Sequence, residues 1–219
     1  DSLTGRGLDS IQKIGRLATI DDAYRSLDLL AKHPRIDANR IVVMGFSAGG
    51  HAVLYSAMKR FQRATATPGN PEFAAYIALY PICHFGFRER EDVVSKPIRI
   101  FHGAADDVAP IEACRNYVAA LSKTGKDAKL YEYAGAGHVF DWVMQKEPRP
   151  VPELARTGKC RLEEGDGGVM MNLDTAKPFT PKDACVEKGT TYRYHAAAHA
   201  AVLKDVRESL TTILKLQRP

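Results

Sequence analysis

The sequence has no apolar run near the roughly 18 residues that a membrane-spanning helix requires. It has no block of like charge resembling a nucleic-acid-binding arm; basic residues are scattered among acidic ones. The formal charge of +5 is modest and reads as a solvated surface. Neither a nucleic acid nor a membrane is therefore expected as a partner. No C-x-x-C pair occurs, which weakens zinc and thioredoxin-type readings. Internal repeats and low-complexity tracts are absent too. A signal peptide is also not seen, but the chain begins at Asp1 rather than at methionine. That start reads as a boundary of processing or preparation.

What remains is ordinary globular material. The 219 residues are 45% hydrophobic and 26% charged, enough for one domain (1–219) with a sizeable core. There are four cysteines, Cys83, Cys114, Cys160 and Cys185, which allow three complete pairings. Cys160 and Cys185 bracket a long segment with little core-forming pattern, which a disulfide would restrain.

Along the chain, residues 1–18 are polar and show no clear period. "TIDDAYRSLDLLAKHP" then fits an amphipathic helix, with Thr19 and Asp22 as a capping signal and Pro34 as its end. "RIVVMGF" is a continuous apolar run suited to a strand covered on both faces. "SAGGHAVLYSAMKRF" reads as a helix, "AAYIALYP" and "PIRIFHG" as strands, and "PIEACRNYVAALSKTG" as a helix. "AKLYEYAG" is a fourth strand, and "YHAAAHAAVLKDVRESLTTILKLQ" a long closing helix. This alternation predicts an α/β fold with a parallel sheet. Residues 142–194, rich in Pro, Gly, Lys and Glu, break the rhythm and read as an irregular excursion before the last helix.

Gly45-Phe46-Ser47-Ala48-Gly49 matches G-x-S-x-G, at a predicted strand–helix junction. A nucleophile there sits on a strained turn, so its neighbours two places away must be small. The same turn puts the Ala48 N–H at a helix start, where it can stabilise an oxyanion. An ordinary structural turn is the competing reading. Loops at the carboxyl ends of parallel strands are where such sheets place their sites. Asp106 and Asp107 follow the third strand; Asp106 is the preferred acid, Asp107 the fallback, and either suits a helix cap as well. His138 follows the fourth strand in a glycine-rich loop and is the expected base. The order Ser47, Asp106, His138 is that of α/β-hydrolases. His51 and His102 lie near these positions. His195 and His199 have metal-ligand spacing without an evident third ligand, so packing is the better account. Phe46, Phe140 and Trp142 are candidates for an apolar pocket, or for core.

The chain resembles the dienelactone hydrolase family of α/β-hydrolases. The likeness runs through Gly45-Phe46-Ser47-Ala48-Gly49-Gly50, Gly103-Ala104-Ala105-Asp106-Asp107 with Pro110, and Gly137-His138-Val139-Phe140-Asp141, into the last helix. The resemblance selects Asp106 over Asp107 by its G-x-x-D-x-x-x-P spacing. It also implies a Cys83–Cys114 pair and a bridged Cys160–Cys185 loop, as in a secreted or periplasmic branch of the family. Oxidising surroundings follow from those bonds.

Two departures stand out. The enzymes that open dienelactone use a cysteine nucleophile; Ser47 here favours a general carboxylic ester. The family sheet is also larger than the four strands readable here, which look like its C-terminal half. The strand at Ile41–Phe46 should then lack a neighbour on one side, and with it the second oxyanion donor. A missing N-terminal segment or a second polypeptide is expected to complete the sheet. The function implied is hydrolysis of a small-molecule ester or lactone by Ser47, His138 and Asp106, with no metal or organic cofactor. A serine peptidase and an inactive or binding fragment are the rivals.

Overall fold

In the computed structural model, which describes residues 2–9 and 13–217, the four apolar runs lie side by side. The expected polar opening and the domain limits touch residues 1, 10–12, 218 and 219, which lie outside the described residues. Strands β1 (Val42–Phe46), β2 (Ala75–Leu79), β4 (Ile98–Gly103) and β5 (Ala128–Tyr133) form one parallel sheet in the order β1-β2-β4-β5. Their period of two divides the core. Tyr76 and Ala78 of β2 face one side, against α1 (Arg16–Ala31), α2 (Ala48–Ser56), α3 (Lys59–Thr65) and α4 (Ile111–Lys123). Ile77 and Leu79 face the other, with Phe101, Phe140 and Ala198 and Val202 of α5 (Ala196–Ile213). This is the α/β architecture with a parallel sheet that the alternation implied. Among the described residues, no helix is long and apolar enough to cross a membrane.

β2 is buried throughout, but β1 pairs only with β2 among the described residues. Its Met44 and Phe46 are 42% and 46% exposed. The strand carrying the serine is therefore an edge. A cleft of about 480 Å³ lies along it, lined by Gly45, Ala48 and Gly49 on one side and Asp22 and Ser26 of α1 on the other.

Three local expectations are corrected. The first helix starts at Arg16, with Gly15 as its cap and no side-chain capping bond, so Thr19 and Asp22 lie inside it. The helix after the serine breaks at Ala57–Met58. There Val94 N donates to Ala57 O, and Lys59 N donates to Asp92 O, both at 2.9 Å. A non-local strand-like contact between Met58 and Val93 replaces the next helical turn.

The third correction concerns residues 142–194, which are not irregular. β6 (Arg149–Arg156) and β10 (Glu187–Tyr192) form an antiparallel ribbon with a register shift near Gly189 (φ 88°). β3 (Phe85–Gly86), β7 (Leu162–Glu164), β8 (Met170–Asn172) and β9 (Lys177–Pro178) form a second sheet, in the order β3-β7-β8-β9. These strands are short or mostly solvated, so no apolar alternation announces them. Pro150 and Pro152 fit because a two-stranded ribbon leaves one side of each strand without ladder bonds. Two disulfides hold these parts: Cys83–Cys114 joins the loop after β2 to α4, and Cys160–Cys185 closes the excursion. Arg60 of α3 and Glu164 of β7 add a doubly bonded ion pair, with Arg60 Nη2 2.7 Å from Glu164 Oε1.

Candidate active site

Ser47 stands between β1 and α2 at φ 49° and ψ −115°, a conformation disfavoured for any residue with a side chain. Its backbone is held there: Ser47 N donates to Leu79 O at 3.0 Å, and its carbonyl accepts from His51 N at 2.8 Å. The small neighbours have distinct reasons. A Cβ on Gly45 would lie 2.3 Å from Gly49 O, and one on Gly50 would lie 2.6 Å from Leu79 O. A Cβ on Gly49 would meet nothing within 4 Å. The tight approach thus requires glycine at 45 and 50, while position 49 is open, contrary to the symmetric expectation. Ala48 opens α2, so its N–H belongs to the first turn, where helices leave donors without intrahelical partners.

Asp106 lies in the turn after β4 and is buried. Its Oδ1 accepts from Val108 N and Ala109 N, both at 2.9 Å. Its Oδ2 lies 2.7 Å from His138 Nδ1. A carboxylate engaged in this way only accepts, so Nδ1 carries the imidazole proton and Nε2 presents a lone pair. His138 Nε2 is 2.8 Å from Ser47 Oγ. The loops carrying the acid and the imidazole are stitched together by Ala105 N donating to Ala136 O at 2.9 Å. Gly103 permits this approach, since a Cβ there would lie 2.3 Å from Ala136 O.

Asp107 points elsewhere. Its Oδ1 accepts from Thr190 Oγ1 at 2.6 Å, and Arg156 Nη1 donates to both its carbonyl and Oδ2. It anchors the ribbon and does not reach His138.

Two tyrosine rings flank His138. Tyr80, directly after β2 at φ 38°, meets it edge-on at 4.9 Å between centroids, and Tyr192 of β10 lies 5.9 Å away. Tyr80 Oη donates to Asp141 Oδ1 at 2.8 Å; burial, then the Asp141 charge, push its phenol well above the ordinary range. Neither tyrosine was singled out from sequence, and Asp141 entered only as the last residue of the Gly137–Asp141 resemblance. Tyr80 had a signal, its place at the carboxyl end of a central strand; Tyr192 had none.

The family model of the dienelactone hydrolase family matches residues 8–155, about two thirds of the chain and all three of Ser47, Asp106 and His138. The chain belongs to the dienelactone hydrolase family. Its fold also matches that of a Thermogutta terrifontis esterase 2 structure, phosphorylated by paraoxon, with a TM-score of 0.51 and 23% identity over 61% of this chain. A curated relative, the uncharacterized peptidase YuxL of Bacillus subtilis, is 27% identical over 141 residues, 54% of this chain. The chain spans 58% of the esterase and 22% of the peptidase. The family match ends at residue 155, so β10 and Tyr192 lie beyond it.

The other candidates of this family member have separate roles. His102 is fully buried, with Nδ1 3.1 Å from Gly103 O and 4.0 Å from Asp106 Oδ2. Burial lowers its pKa and outweighs the pull of Asp106, so its imidazole is neutral. His51 packs on Tyr55 and Phe85, with Nδ1 3.2 Å from Ile82 O. His195 caps α5 by accepting from Ala198 N, and His199 Nδ1 lies 3.0 Å from Tyr194 Oη. Phe140 is core between Tyr80 and Tyr133, the second of the two readings open for it. Phe46 and Trp142 are partly exposed.

Proposed function

We propose that the protein is a serine hydrolase that cleaves carboxylic esters or lactones through an acyl-enzyme. The observation that carries this reading is the continuous chain from Ser47 Oγ through His138 to Asp106, with links of 2.8 and 2.7 Å. Ser47 Oγ attacks the ester carbonyl carbon as His138 Nε2 takes the hydroxyl proton. The tetrahedral intermediate collapses, the C–O bond to the alcohol breaks, and His138 returns the proton to the leaving oxygen. A water then repeats the sequence on the acyl-serine, with His138 as base, and releases the acid. Asp106 keeps the imidazole in the required tautomer and balances its charge. The Ala48 N–H is one oxyanion donor.

The second donor and the rest of the sheet are assigned to a further segment or a second polypeptide placed along the exposed edge of β1. The open cleft beside Ala48 and the unpaired edge support that assignment. Two disulfides favour a periplasmic or secreted location.

The peptidase relative gives a second reading the same catalytic groups. A fluorophosphonate probe should form an adduct at Ser47, and short-chain nitrophenyl esters should turn over faster than peptide anilides. Anilide cleavage with negligible ester turnover would favour the peptidase; an unlabelled Ser47 would remove both.

A further inference from the structure

We propose that Tyr192 is a positioning residue for His138, and that the ribbon of β6 and β10 is the clamp that presents it. The proposal rests on the catalytic reading above. His138 occupies a loop with positive φ on either side, at Gly135 (71°) and Val139 (53°), so no regular element orients its ring. It must nevertheless satisfy Ser47 and Asp106 together, and small displacements of such a ring are costly. Tyr80 holds one side from the sheet. Tyr192 holds another, and it comes from a segment more than fifty positions later in the chain.

The ribbon is attached to both loops that carry the acid and the base. At the acid loop, Thr190 and Arg156 bind Asp107, the residue next to Asp106. At the base loop, Tyr194 N donates to Gln145 O at 2.7 Å, and His195 N donates to Phe140 O at 2.8 Å. Arg149, paired with Tyr192 across the ribbon, sets its guanidinium 6.0 Å from the Trp142 ring centroid. Tyr192 is thus fixed from both sides of its own strand. The far end of the ribbon is closed by the Cys160–Cys185 disulfide and by Arg156 with Glu187. Burial, then the charge of Asp106, raises the Tyr192 phenol above its ordinary value, so the ring is neutral where it meets the imidazole.

The test compares Tyr192→Ala, Tyr192→Phe and Thr190→Val in the complete protein, with the segment or polypeptide that fills the β1 edge present. The readouts are kcat and KM on a short-chain nitrophenyl ester, and the downfield NMR signal of the His138 Nδ1 proton. Tyr192→Ala should lower kcat about tenfold with KM within about twofold, and broaden that signal through exchange with water. Tyr192→Phe should recover most of kcat and the sharp signal, which separates ring positioning from general damage. Thr190→Val should give a partial loss, since it frees the strand and keeps the ring. A wild-type kcat in Tyr192→Ala, a rise in KM alone, or a Phe variant as impaired as the Ala variant would each overturn the proposal. Absence of ester turnover and of Ser47 labelling in the wild type would instead overturn the hydrolase reading, and this one with it.

Discussion

Asp106 Oδ2 lies 2.7 Å from His138 Nδ1, while the other oxygen of the same carboxylate accepts two backbone N–H groups. This division predicts the effect of Asp106→Asn. The Asn oxygen must stay with Val108 N and Ala109 N, so its NH₂ turns toward Nδ1. Nδ1 then becomes the acceptor, and Nε2 carries the proton toward Ser47 Oγ. The wrong tautomer should cost on the order of 10⁴ in kcat with little change in melting temperature. Steady-state kinetics beside a thermal melt checks both halves.

The glycines of the elbow should respond unequally. Gly45→Ala drives a methyl to 2.3 Å from a backbone oxygen and should destabilise by about 3 kcal/mol. Gly49→Ala has open space in a helix and should be neutral or stabilising by up to about 1 kcal/mol. Chemical denaturation of the two variants measures the contrast.

Glu164 supplies a pH-dependent term. The Arg60 guanidinium holds its carboxyl below the ordinary value of 4.5, against the opposing effect of burial. A depressed folded-state pKa contributes stability that is full above about pH 4.5 and is lost as pH falls through the folded value. Glu164→Gln should therefore cost about 2 kcal/mol at pH 7, discounted because Arg60 is partly exposed. The gap from wild type should close in acid. Denaturation midpoints from pH 7 down to 3 give the readout.

Removing the Cys160–Cys185 bond should loosen the excursion first. With the cysteines 25 positions apart, loop entropy assigns the bond about 3.5 kcal/mol. The Cys160→Ser, Cys185→Ser double variant should gain protease cleavage within residues 157–186 while β1, β2, β4 and β5 stay protected. Mass analysis of early fragments locates the cut.

Much of the central architecture was legible because its signals are local. Short apolar runs alternating with helices implied a parallel sheet, and β2 and β4 are buried on both faces, but β1, expected to be covered on both, is not. The tight turn was legible from Gly45 and Ser47 at the strand's end, and His138 and Asp106, which the structure joins to Ser47 in one hydrogen-bonded chain, from their places after later strands. Met58 was misread as helical because its neighbours Ala57 and Lys59 hydrogen-bond to Val94 and Asp92, 37 and 33 positions away, and so bridge it to Val93. The β6–β10 ribbon was misread because its strands are polar, carry two prolines and are held by ladder bonds and ion pairs.

The sequence by itself determined the α/β class, the turn at Ser47 and the two later loops that face it, since each depends on short-range sterics or on chain order. Only the tertiary structure decided that Asp107 anchors a ribbon while Asp106 faces the imidazole, and that Tyr80 and Tyr192 close around His138. Those choices join residues from loops far apart in the chain, and contacts at such separation leave no period or spacing in the sequence to read.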